Sequence, residues 1–160
     1  MTVAAIGIDP GSKGLHGLVV YQDGRVIYAA SQATTDEVFR EIREQFRTCI
    51  VGIERCQSAG ISGASLLQTS EYVGRFYQVC LDQGHAVELL YRRVVLKHLD
   101  ISGRGNRDSL VRQRMLEMHP AGKGTKRDPG PLYGLAGHSW QALGVAVVAL
   151  DRHDNRQETA

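Results

Sequence analysis

The chain has no run approaching the roughly 20 apolar residues that a membrane-spanning helix needs, so no such helix is expected. It has no basic segment followed by an apolar core at its start, so no signal peptide is expected. Cysteine is scarce. Cys49, Cys56 and Cys80 are odd in number and lack CxxC spacing, which argues against a disulfide framework or a zinc ribbon and for free thiols in a reducing cytoplasm. Charge of one sign is not in excess either. The formal net charge is +2, which neither requires nor excludes nucleic acid as a partner and moves the question to where the charges sit. There is no internal repeat, and nothing separates a second domain. Residues 1–151 read as one domain and residues 152–160 as a polar, frayed tail.

What is present is an alternation of strand and helix signals. Residues 3–8 are an apolar run that stops at Asp9 and a Pro-Gly-Ser turn. Residues 18–21 and 26–29 form two further strands about an Asp23-Gly24 hairpin signal. A helix starts at 34–37, with Thr or Asp as its cap, acids in its first turn and an apolar face on Val38, Phe39, Ile42 and Phe46. A strand over 50–53 then ends in Glu54. An amphipathic helix over 66–81, a strand over 86–91, a helix from Asp108 to Met118 and a closing helix from about His138 to Asp151 complete the chain. The order β-β-β-α-β-α-β, followed by helices, predicts an α/β fold with a five-stranded mixed sheet covered by helices. The closing helix carries an apolar stripe on Trp140, Leu143, Val147 and Leu150.

Two features carry chemistry. Asp9 and Glu54 each follow an apolar strand, and a carboxylate is costly to bury unpaired. If the two strands are parallel neighbours, both carboxylates emerge at one sheet edge, where their repulsion is relieved by a cation. Oxygen ligands of this kind suit Mg²⁺, which completes its shell with water and substrate phosphate. Two rim carboxylates with unrelated roles are the alternative. The second feature is basic. Arg92, Arg93, Lys97, Arg104, Arg107, Arg112 and Arg114 crowd one segment, and a Gly/Pro-rich loop over 122–137 adds Lys123, Lys126 and Arg127. A positive groove beside the carboxylates would hold a nucleic-acid backbone.

Four segments, Ile6-Gly7-Ile8-Asp9-Pro10-Gly11-Ser12, Val51-Gly52-Ile53-Glu54, Arg104-Gly105-Asn106 and His138-Ser139-Trp140-Gln141-Ala142-Leu143-Gly144-Val145-Ala146, resemble in order and spacing the RuvC family of Holliday junction resolvases. The loop before the last helix resembles bacteriophage members. The resemblance spans about residues 3–150. It implies a ribonuclease H-like fold and a homodimer that places paired, symmetric nicks in a four-way DNA junction by hydrolysis with Mg²⁺ or Mn²⁺. Asp9 and Glu54 match the first two family carboxylates. His138 and Gln141 stand where the closing helix supplies two further ligands, usually both Asp. His138 is a possible metal ligand. Gln141 is a neutral, weaker one, so three readings stay open: a site of Asp9, Glu54 and His138 with Gln141 in the outer shell, a second metal recruited by the scissile phosphate, or a protein that binds junctions and cuts poorly. A nuclease for other branched or hybrid substrates is a further alternative. Lys97 matches a family lysine near the active site. Arg93, Lys97, Arg104, Arg107, Lys123 and Lys126 are the expected DNA contacts. Asp108 stands at a second lysine position, with Arg107 beside it to take over that role. The family's base-disturbing aromatic after the second carboxylate has no clear counterpart in Arg55, Cys56 and Gln57. The helix over 66–81 matches the dimerisation helix. A helicase partner is unknown.

Overall fold

The computed structural model describes residues 3–45, 48–57, 63–103 and 105–159; Phe46 and Arg104, named above, lie outside them. Among the described residues five strands form one sheet in the order β3-β2-β1-β4-β5. They are β1 (Ala5–Asp9), β2 (Leu15–Gln22), β3 (Arg25–Thr34), β4 (Ile50–Arg55) and β5 (Ala86–Tyr91). The first three are antiparallel, and β4 and β5 run parallel to β1. The mixed sheet expected from the sequence is therefore present. Asp23 and Gly24 both adopt positive φ, the geometry of the two-residue hairpin turn that matches strand twist. The β2 and β3 strands are longer than their apolar cores, because pairing continues past a bulge to Leu15 and Thr34.

Helices α1 (Thr35–Glu44) and α2 (Ala64–Asp82) cover one face of the sheet. Thr34 and Glu37 cap α1 reciprocally, each side chain taking up the other's backbone N–H. Helices α3 (Arg92–His98), α4 (Arg107–Met118) and α5 (Ser139–Glu158) cover the other face. The α3 helix was not expected: its apolar positions, Val95 and Leu96, are masked in sequence by the basic residues around them, and they are buried against α5. The α5 helix runs past Asp151 to Glu158, and its outer turns are tied to the sheet by Arg152 and Arg156, both paired with Glu88. Nor is its burial a stripe. Every residue from Ser139 to Ala149 is buried, since the sheet lies on one side and α3 and α4 on the other. No helix among the described residues is long and apolar enough to cross a membrane.

The seat of α5 is made by glycine. A Cβ on Gly7 of β1 would lie 1.8 Å from the carbonyl oxygen of Ala142, one on Gly17 of β2 would lie 2.4 Å from that of His138, and one on Gly52 of β4 would lie 2.8 Å from that of Val145. The helix thus rests on bare strand backbone across three adjacent strands, and this closeness fixes where its N-terminus falls. Gly7→Ala and Gly52→Ala force helix and sheet apart and should each destabilise the protein by about 1–3 kcal/mol, the usual range for overpacking, with Gly7→Ala the worse. Urea unfolding would register this as a lowered midpoint at unchanged slope; an unshifted midpoint for Gly7→Ala would contradict the seating.

Candidate active site

Parallel pairing of β1 with β4 puts Ile8 opposite Ile53, so the next residues, Asp9 and Glu54, leave the sheet side by side at one edge. Their side chains are only 18% and 16% exposed. Burial raises the pKa of both. Glu54 is pushed up to about 7, by burial first and the neighbouring Asp9 charge second, partly offset by Arg92. For Asp9 burial also dominates, offset chiefly by His138.

The next strand ends at the same edge. β5 pairs with β4 up to Arg55 opposite Tyr91, and α3 begins at Arg92. The Arg92 guanidinium forks: Nη1 reaches Glu54 Oε2 at 3.3 Å and Nη2 pairs with Asp108 Oδ1 in the first turn of α4. From the closing helix, His138 sits at the N-cap of α5 over Gly17, with its backbone N–H donated to Ser31 and its Nδ1 3.3 Å from Asp9 Oδ2. One turn on, Gln141 is buried. Its Nε2 donates to the Asp108 carbonyl at 3.3 Å, while its Oε1 has no hydrogen-bond partner. Asp108, His138 and Gln141 line one cavity of about 590 Å³.

Among the described residues, no three His, Cys, Asp or Glu side chains already converge as a coordination shell. The donors nevertheless fit a hard divalent cation. Two buried carboxylates are short of compensating charge, an imidazole is in reach of one of them, and a buried amide oxygen is orphaned. Asp9, Glu54 and His138 are the side chains that could hold such an ion, with Arg92 as counter-charge in its absence.

The basic residues fall into two places. Arg93, Lys97 and Arg107 line a second cavity, of about 300 Å³, where α3 meets the segment before α4. No hydrogen bond among the described residues joins Lys97 to Asp9 or Glu54. Lys123 and Lys126 are exposed on the long loop. Asp128 gives that loop its turn, accepting from the Lys123 N–H, and the Pro131 carbonyl accepts from Val26 at the β3 edge. Arg55 and Arg93 stack on the Tyr91 ring at 4.7 and 5.6 Å, so the position after Glu54 adds positive charge to this edge. His16, His85 and His119 are buried and hydrogen-bonded within the core. Sequence reasoning put Arg92 in the basic segment and Asp108 at a family lysine position but did not bring the two together at Glu54.

No protein-family model matches the chain, and neither does any of the curated proteins searched. Solved structures do. The structure of RuvC from Thermus thermophilus matches with a TM-score of 0.66 at 19% identity, over 96% of this chain and 97% of that one. The T. thermophilus RuvC in complex with a Holliday junction substrate matches with a TM-score of 0.64 at 18% identity, over 96% of each chain. The fold is RuvC-like. In it the carboxylates Asp9 and Glu54 stand at the ends of two adjacent parallel strands.

The raised Glu54 pKa has a consequence for metal-free stability. Folding favours the protonated acid, so between about pH 4.5 and pH 7 the folded state binds more protons than the unfolded chain and stability falls as pH rises through that window. Above it the burial costs up to about 3 kcal/mol. In a chelator, Glu54→Gln should therefore gain stability relative to the parent at pH 8 compared with pH 5, read from urea midpoints at both pH values. An identical difference at the two pH values would mean that Glu54 is not buried as a strained carboxylate.

Proposed function

We propose that the chain is a structure-selective endonuclease that resolves four-way DNA junctions as a homodimer, by hydrolysis dependent on Mg²⁺ or Mn²⁺. The observation that carries this reading is the pair of buried, under-compensated carboxylates, Asp9 and Glu54, at adjacent ends of parallel strands. Side chains with no purpose at that edge would be replaced at a gain in stability; a cation between them reverses the penalty. When bound, such a cation supplies charge stabilisation at the scissile phosphate and an acidified water.

The chain's own groups do the rest. Asp9 and Glu54 hold the cation, and His138 joins them or fixes the orientation of Asp9. Arg93, Lys97 and Arg107 grip phosphates in the adjoining cavity, and Lys123 and Lys126 extend the basic surface. Affinity for DNA then falls steeply with salt. Pairing of nicks needs two sites, and α2 offers a contact surface: exposed Leu67, Gly74 and Leu81 recur one heptad apart, with exposed Tyr77 between the last two. Leu67→Glu with Leu81→Glu should turn a sedimenting dimer into a monomer.

A labelled synthetic junction beside a matching duplex tests the activity. The parent should nick the junction symmetrically with Mg²⁺ or Mn²⁺ and leave the duplex intact. Asp9→Asn and Glu54→Gln should each abolish nicking and keep junction binding in a chelator. Nicking that survives both substitutions removes the site assignment, and preferential cutting of an RNA–DNA hybrid moves the substrate class. A second reading, a junction-binding protein that cuts poorly, rests on neutral Gln141 at the buried end of the site. Under it, Gln141→Asp alone gives a large gain in cutting.

A further inference from the structure

We propose that Asp108, carried by α4, is a third carboxylate ligand of the divalent-cation centre and takes over the charge that Gln141 on α5 lacks. The inference rests on the cation site read above.

One guanidinium already measures the separation. Arg92 Nη1 lies on Glu54 and its Nη2 on Asp108, so a single cationic group of fixed fork geometry touches both carboxylates at once. Asp108 is not occupied as a helix cap. The N-cap of α4 is Asn106, whose side chain accepts from the Asp108 N–H, and this leaves the Asp108 carboxylate directed at Arg92. Its side chain is 65% exposed and has room to turn.

The second observation is Gln141. It is 5% exposed, its Nε2 donates to the Asp108 carbonyl, and its Oε1 is buried with no partner among the described residues. A buried carbonyl oxygen without a donor is costly. The residue lines the cavity that Asp108 and His138 also line, and a cation or a water bound there would give that oxygen a partner. Gln141 is thus a positioning residue: through the Asp108 backbone it pins the start of α4 to α5 beside the strand ends. Without the cation, Arg92 is shared between Glu54 and Asp108. On binding, the cation replaces Arg92 between them.

Titration of the full chain with Mn²⁺ in the absence of DNA tests this, read by calorimetry and by the free-ion magnetic resonance signal. Asp108→Asn should weaken Mn²⁺ binding by about tenfold or more, since loss of even an outer partner costs that much, with an unchanged thermal midpoint in chelator. Adding Gln141→Asp to Asp108→Asn should restore affinity. Arg92→Gln separates ligation from indirect action: it removes a competing cation and should tighten Mn²⁺ binding, whereas an Asp108 that acts only by holding Arg92 would make both variants weaken it alike. If Asp108→Asn binds Mn²⁺ as tightly as the parent while Asp9→Asn does not, the role of Asp108 is overturned and the cation site stands. If parent and Asp9→Asn bind alike, the cation site falls and this inference falls with it.

Discussion

The contact between α5 and the bare backbone of β2, β1 and β4 is the constraint on which the other parts of the molecule depend. Gly17, Gly7 and Gly52 form a row across three neighbouring strands, and each gives its missing side chain's space to a carbonyl of the helix. Close approach of this kind trades side-chain packing for positional accuracy. A helix held on larger side chains could slide by part of a turn; one seated on backbone has little freedom, because interiors are packed at near-crystalline density. Ala142, Ala146 and Ala149 keep the lower surface of the helix equally thin, and Gly144 does the same toward Val111 and Leu99 above it. The N-cap of α5 therefore falls over Gly17, the residue paired with Asp9. The proximity of His138 to Asp9 follows from the glycine row more than from any attraction between the two side chains.

That accuracy matters because the strand ends carry a cost. Asp9 and Glu54 are largely shielded from water, and that burial raises the pKa of each, with the Asp9 charge adding to the rise at Glu54. Arg92 offsets part of the penalty by reaching Glu54 and Asp108 together. A structural salt bridge would pair one acid with one base. Here one base is shared by two acids, Glu54 and Asp108, and Asp9 is left to His138. An arrangement that leaves negative charge in hand is suited to a ligand of higher charge than a guanidinium, and a divalent cation is one.

Much of the architecture was legible in the sequence because it is written in local patterns. Apolar runs that stop at a carboxylate identified β1 and β4, Asp23-Gly24 the hairpin, and Thr34 with Glu37 the start of α1. Asp9 and Glu54 could be paired because two such strands at one edge have a simple geometric consequence. Other features were hidden for physical reasons. The α3 helix carries its buried residues, Val95 and Leu96, amid basic ones that dominate its composition. The outer turns of α5 look polar and frayed until Arg152 and Arg156 are seen to meet Glu88 on another element. Arg92 read as one of many cations and Asp108 as an ordinary first-turn acid. Their meeting joins the end of β5 to the start of α4, a relation between distant segments that no periodicity encodes.

The placement of positive charge completes the logic. A site that handles phosphodiesters must be acidic at its centre to retain a cation and basic around it to hold the backbone, and the two demands conflict at short range. In this fold they are separated by chain direction. The strand ends and the N-cap of α5 deliver acids and an imidazole to the centre, while α3 and the first residue of α4 carry Arg93, Lys97 and Arg107 into a second cavity. Arg92 lies at the boundary, one residue from Arg93 and in contact with Glu54 and Asp108.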